Sequence, residues 1–198
     1  MTAHQVIIGL AGFARSGKDE LAKQLVANEG FKRVAFADAM RNILYALNPI
    51  IDTKTVNMAP VINSAHVEIR VQEIVDEIGW ERAKVEYPEI RQLLQRLGTD
   101  GARAHLSDDI WVRTVLENNA ETPRLVIPDV RFPNEAEEIQ KRGGVIIRII
   151  REGYGAVNGH ISETAYADQD IILHNDGTPD DLYKNYVEAI QEWSGNNQ

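Results

Sequence analysis

Residues Gly12-Phe13-Ala14-Arg15-Ser16-Gly17-Lys18-Asp19 have the types and spacing of a cradle for a row of phosphates. Glycine at both ends lets successive backbone N–H groups curl around phosphate oxygens with no side chain in the way. A helix opening near Lys18 adds its positive end, and Lys18 adds a mobile full charge for the outer phosphates of a nucleotide. The apolar run Val6-Ile7-Ile8-Gly9-Leu10-Ala11 precedes the loop, and Leu21, Leu25 and Val26 follow it with helical spacing. Strand, loop and helix therefore come in the order such a cradle requires. The expected nucleotide contacts are Gly12, Ala14, Arg15, Ser16, Gly17, Lys18, Asp19 and Glu20. Asp19 stands where the pattern expects a Ser or Thr hydroxyl for magnesium. Its carboxylate is the expected replacement, directly or through water.

Three other places carry charge suited to phosphate chemistry. Asp38 follows a short apolar run, where it can cap a helix, and Arg41 lies one turn further on. Asp129 ends the run Leu125-Val126-Ile127-Pro128, and a carboxylate at such a strand tip can hold magnesium through its water shell. Its plainer reading is a turn or cap residue. Arg131, two positions on, would sit at the same mouth. Arg148 and Arg151 precede Gly153-Tyr154-Gly155-Ala156-Val157-Asn158-Gly159-His160, a glycine-spaced stretch that suits a lid over 151–168. His160, Ser162 and Glu163 lack the Gly-x-Ser-x-Gly elbow of a hydrolase, and no two of the five histidines have metal-binding i, i+4 spacing. Acid–base hydrolysis and histidine-held metals are set aside on these grounds.

The elements that must position these groups are legible from periodicity. Residues 5–10, 32–36, 124–128, 145–150 and 170–173 form five Val- and Ile-rich runs without strict alternation, as strands of a parallel sheet covered on both faces do. Helical faces lie between them: Met40, Ile43, Leu44 and Leu47; Val71, Ile74, Val75 and Ile78; Leu93, Leu94 and Leu97, from Pro88 to near Gly98. Asp108-Asp109 is placed to open a helix carrying Trp111, Val112, Val115 and Leu116. Thr178-Pro179-Asp180-Asp181 has the form of a helix start, with Leu182, Tyr186, Val187 and Ile190 on its core side. Strands alternating with helices give a three-layer α/β fold in one domain spanning 1–198. Residues 48–122 read as a largely helical insertion for the acceptor, with Asn48 to Ala65 a mobile loop. Trp80, Arg91, Gln95 and Arg103 within it are candidate base readers, or simply structural.

Composition narrows the function classes. The chain has 198 residues, no cysteine and a net charge of −9. No apolar run is long enough to span a membrane, and no basic n-region precedes the first strand. The charge speaks against a protein that tracks a nucleic-acid polymer, which needs clustered Lys and Arg. A phosphate cradle tolerates it, because salt screens distant surface charge while the cradle acts within a few ångströms.

Asp38-Ala39-Met40-Arg41 resembles a segment of adenylate kinases whose arginine clamps the acceptor monophosphate. A planar guanidinium suits that task better than an ammonium. The strand ending at Asp129 resembles theirs with altered spacing. Across nearly the whole chain, Arg15 to Asp19, Phe36-Ala37-Asp38, Leu97-Gly98-Thr99, Asp129 to Glu135 and His160-x-Ser162-Glu163 resemble the deoxynucleoside monophosphate kinases of bacteriophages. Those enzymes also tend to place Asp after the loop lysine, but follow it with Thr, where this chain has Glu20. The resemblance implies a P-loop kinase fold with a five-stranded parallel sheet. It implies ATP as donor, Mg2+ as cofactor and a dNMP as the small-molecule acceptor. Lys18, Arg41, Arg131 and Arg151 would carry the transfer; Asp38, Arg41, Asp129 and Arg131 would bind the acceptor; Asp19 and Asp129 would serve the metal. Asn175-Asp176-Gly177-Thr178 reads as a turn, and the resemblance would place it, Gly177 included, by the adenine ring. A homodimer is compatible with this reading, and the place of action would be the cytoplasm, the host's if a phage encodes the chain. The alternatives are a dephospho-coenzyme-A-kinase-like enzyme with Asp38 as general base, or a nucleotide-binding ATPase or switch with no acceptor.

Overall fold

Five stretches pair in parallel in the order β2 (Lys32–Arg33), β5 (Arg124–Ile127), β1 (Val6–Ala11), β6 (Val145–Ile150), β7 (Ile171–His174). The coordinates are a computed structural model that describes residues 5–58, 63–154 and 169–196. β1 is central, pairing with β5 on one side and β6 on the other. Alternation along β1 assigns its two faces. Ile8 and Leu10 enter a core with Leu21 and Leu25 of α1 (Lys18–Glu29) and Leu182 and Tyr186 of α7 (Pro179–Asn196). Gly9, between them, faces Val130 and Ile139, the latter on α6 (Pro133–Lys141). With both faces covered, the strands are apolar throughout, and each fully buried Ile or Leu contributes about 1.5–3 kcal/mol. That is the expected three-layer α/β arrangement, with β1 pointing its C-terminal end at the glycine loop.

The chain divides into two compact units, Met1–Ala37 with Trp111–Gln198, and Asp38–Ile110. The first holds the sheet, α1, α6, α7 and nearly all of α5 (Ile110–Asn118), whose Trp111, Val112, Val115 and Leu116 are buried. α2 (Phe36–Leu47) begins in it and continues into the second. The second unit has its own core of Leu44, Ile69, Val71, Ile74, Ala83 and Ile90, drawn from α2, a strand, α3 (Val71–Glu86) and α4 (Pro88–Gln95).

Several sequence expectations need correction. The described residues of Asn48 to Ala65 are largely strand: β3 (Ile50–Met58) and β4 (Asn63–Arg70) form an antiparallel ribbon, paired Thr53 with Glu68 and Thr55 with His66. Its strands read Ile-Ile-Asp-Thr-Lys-Thr-Val-Asn-Met and Asn-Ser-Ala-His-Val-Glu-Ile-Arg, too polar for their alternation to stand out from a connection. The second strand keeps only Lys32–Arg33 of residues 32–36, because Phe36 already starts α2. The helix opening at Pro88 does not end near Gly98; it runs on as a π-helix over Arg96–Arg103. Asp108-Asp109 precede α5 rather than open it, with Ser107 supplying the turn: its carbonyl accepts from Ile110 N–H and its hydroxyl from Asp109 N–H. The opening of α7 is as expected. Thr178 N–H donates to the Asp181 carboxylate and Asp181 N–H to the Thr178 hydroxyl, the reciprocal form of a capping box.

Candidate active site

The glycine loop leaves β1 through Gly12 (φ 141°) and enters α1 through Gly17 (φ 110°), both in backbone regions that side chains rarely adopt. A Cβ at Gly12 would run into the Ile149 carbonyl, and one at Gly17 into the Asn175 amide. Between them the chain turns tightly, with Ser16 N–H donating to Phe13 C=O at 3.2 Å and Arg15 at φ 65°. Ala14 and Arg15 are exposed at the tip, while Ser16 is buried.

Lys18 folds back over this turn. Its Nζ donates to the Gly12 carbonyl at 2.8 Å and to the Phe13 carbonyl at 2.6 Å. Burial first, and then the neighbouring Arg131 guanidinium, push the ammonium down to about 8, against the opposing pull of Asp19 and Asp129. Lys18, Arg131, Asp19 and Asp129, read separately from the sequence, thus share one electrostatic neighbourhood. Asp19 is exposed on the first turn of α1, 3.5 Å from an Arg33 nitrogen, and Glu20 pairs with Lys23 at 3.1 Å.

Asp129 has a clear structural task. Its two carboxylate oxygens accept the backbone N–H groups of Phe36 and Ala37 at 3.1 and 3.0 Å, capping α2. Asp38, the other candidate cap, lies within that helix instead. Arg131 has its backbone N–H bound by the buried Glu135 carboxylate at 2.7 Å, which fixes the loop between β5 and α6 and leaves the arginine side chain exposed. Arg151 follows β6 with its guanidinium 5.0 Å from the Tyr154 ring centroid. The remainder of the expected lid, including His160, Ser162 and Glu163, lies outside the described residues. Gly177 sits in the turn before α7, where a Cβ would meet the Asp181 carboxylate at 2.7 Å.

In the second unit, Arg41 gathers a set of charges. Its Nη2 donates to the Glu81 carboxylate at 2.8 Å, its Nη1 lies 3.7 Å from Asp38, and its guanidinium carbon is 6.0 Å from the Trp80 ring centroid. Lys84, and then Arg41, hold Glu81 below the usual carboxylate range. Gly79 (φ 75°, ψ 161°) breaks α3 immediately before Trp80 and Glu81, which re-aims both. Glu81 was not singled out by sequence reasoning, for a single glutamate on a polar helix face carries no signal. Asn175 was read only as part of a turn, and its long-range partner Ser16 is invisible in a local pattern.

The loop fits a nucleotide's phosphates on its own features. Among the described residues no side chain caps α1 at Gly17, so its first amides and positive end are open to an anion. The buried Ser16 hydroxyl is also a donor with no hydrogen-bond partner among the described residues.

The family model described as deoxynucleotide monophosphate kinase matches residues 56–186, well over half of the chain. The chain belongs to that family. It is by that membership a nucleotide kinase. The match begins beyond the glycine loop, whose assignment rests on Gly12, Gly17 and Lys18 themselves. A protein of Acanthamoeba polyphaga mimivirus, provisionally described as a deoxynucleotide monophosphate kinase, is 27% identical over 206 residues, covering 96% of this chain and 98% of that one. The deoxynucleotide monophosphate kinase of Enterobacteria phage T4 is 27% identical over 109 residues, which cover 52% of this chain and 45% of the phage enzyme. This chain therefore aligns with less than half of that relative. Among solved structures, the shikimate kinase of Aquifex aeolicus has a TM-score of 0.49 at 12% identity, covering 93% of this chain and 96% of that one. That likeness is too distant to bear on function. Among the described residues no helix is long and apolar enough to cross a membrane.

Proposed function

We propose that this family member transfers the γ-phosphoryl group of ATP to a deoxynucleoside monophosphate, giving ADP and the diphosphate. The observation that carries the reading is Lys18 held over the carbonyls of Gly12 and Phe13, above a loop that only glycine can close at both ends. An oxygen of the acceptor monophosphate attacks the γ-phosphorus, and the bond to the bridging oxygen breaks in line with it. ADP leaves with that electron pair. The attacking oxygen is already deprotonated near neutral pH, so the protein supplies no strong base. Its work is to hold two anions together and neutralise the charge spreading over the transferred group.

Each group has a part in this. Loop amides from Gly12 to Gly17 and the first turn of α1 hold the donor phosphates, with Lys18 on the outer ones. Arg41 grips the acceptor phosphate, exchanging the Glu81 carboxylate for phosphate oxygens. Arg131, already within electrostatic reach of Lys18, steadies the transferred group, and Arg151 adds a second guanidinium for its charge. Magnesium, when bound, would draw charge from the donor oxygens. Such a cation needs one or two carboxylates besides phosphate and water, so it does not require a cluster of three ligands. Asp19, exposed beside Lys18, suits it better than Asp129, whose oxygens already serve the α2 amides.

A coupled assay of ADP formation tests the proposal with three acceptor conditions. Turnover is expected with dNMPs, and not with dephospho-coenzyme A or with no acceptor. Turnover with dephospho-coenzyme A alone would transfer the assignment to an alcohol kinase. Turnover independent of any acceptor would make the chain an ATPase.

A further inference from the structure

Asn175 directly follows β7 and is buried, yet its side chain does not serve the strand it extends. Its backbone N–H donates to Ile150 C=O at 2.8 Å, completing the sheet, while its side-chain Nδ2 donates across to the Ser16 carbonyl at 2.7 Å. The partner is a carbonyl, so the amide must present its nitrogen there. Behind it, α7 is locked by its Thr178–Asp181 capping pair, and Leu182 packs at Gly17. The amide therefore comes from a rigid support.

The consequence follows from peptide geometry. In a planar trans peptide the C=O and the next N–H point in opposite directions. Holding the Ser16 carbonyl toward Asn175 holds the Gly17 N–H the other way. Gly17 has the freedom to let this peptide plane flip, and its positive φ leaves room for Asn175 only because it lacks a Cβ. We propose that Asn175 is a positioning residue that fixes the Ser16–Gly17 peptide so that the Gly17 N–H is aimed at a donor phosphate before the nucleotide arrives. Preorganised donors stabilise charge without reorganising at the moment of need. This inference rests on the proposal that the loop binds nucleotide phosphates.

The test uses Asn175→Leu, which keeps size and burial but removes the donor, and Asn175→Asp as a second variant of the same shape. The probes are ATP and inorganic tripolyphosphate, which lacks base and sugar. In Asn175→Leu both should bind about tenfold more weakly, the loss of one donor's alignment to a charged oxygen. The Michaelis constant for dNMP should move less than threefold. Asn175→Asp should regain affinity as pH falls and the carboxyl becomes a donor again, beyond any change in wild type. If Asn175→Leu does not fold, that pH-dependent recovery in Asn175→Asp decides the matter alone. Loss of ATP affinity with tripolyphosphate unaffected would overturn the inference, placing the effect at the base. Unchanged binding of both would overturn it too, while wild type failing to bind either probe would overturn the phosphate-loop proposal beneath it.

Discussion

The ammonium of Lys18 lies 2.6 Å from the carbonyl oxygen of Phe13, five residues earlier in the chain, and so closes the glycine loop upon itself. In this setting it titrates at about 8, well below an ordinary lysine. Phosphate oxygens brought beside it favour the charged form and raise that value. Nucleotide binding should therefore take up a proton above pH 8. Affinity for ATP should be flat below pH 7 and weaken by up to about tenfold per unit above 8. Calorimetric titration from pH 6.5 to 9.5 checks this, and Lys18→Ala should lose the pH dependence together with on the order of 10²–10³ in turnover. A flat profile in the wild type would remove Lys18 from the phosphate site.

Arg41→Ala should raise the Michaelis constant for dNMP at least about tenfold, since hydrogen bonds to a charged group contribute roughly 1.5–3 kcal/mol. The constant for ATP should change little. Arg41→Lys should recover only part of the loss, because a point charge cannot grip two oxygens in a plane. Initial-rate kinetics with each substrate varied in turn separate these outcomes. If ATP affinity were lost and dNMP affinity kept, the acceptor site would lie elsewhere.

Asp19 and Asp129 should respond in opposite ways. Asp19 is exposed on the helix surface, so Asp19→Ala should leave unfolding unchanged and raise the magnesium concentration needed for half-maximal rate. Asp129 binds two amides of α2, so Asp129→Ala should destabilise the protein by about 1–3 kcal/mol, with Asp129→Asn milder. Denaturant unfolding and a magnesium titration on both variants check the pair. An unchanged magnesium requirement in Asp19→Ala would shift the metal role to Asp129 or Glu20.

Gly79 offers a test of backbone alone. Nothing lies within 4 Å of a Cβ built there, yet its φ of 75° and ψ of 161° belong to a region open essentially to glycine. Gly79→Ala should cost roughly 1–3 kcal/mol without any steric clash. It should also disturb Trp80 and Glu81, which follow the kink, and so raise the dNMP constant. Thermal unfolding with wild-type stability would contradict the strain argument.

What could be read from the sequence was what is local. The loop from Gly12 to Lys18, the buried strands around it and the Thr178–Asp181 helix start each have signals within a few residues. What could not be read depends on distant partners. Asp129 reads locally as either a metal residue or a cap, and its capping of α2 is hidden because the amide donors, Phe36 and Ala37, lie more than ninety positions earlier. Asn175 looked like a turn because Ser16 lies 159 positions away. The β3–β4 ribbon is hidden for another reason: its strands are mostly polar and carry little apolar alternation.

The central claim is transfer between phosphates, and following the label tests it most directly. The enzyme is given ATP carrying isotopic oxygen on its γ-phosphoryl group together with a dNMP, and the products are resolved by mass spectrometry. The account predicts labelled deoxynucleoside diphosphate and ADP in equal amounts, with both lost in Lys18→Ala. Label recovered as inorganic phosphate, with the dNMP unchanged, would contradict it.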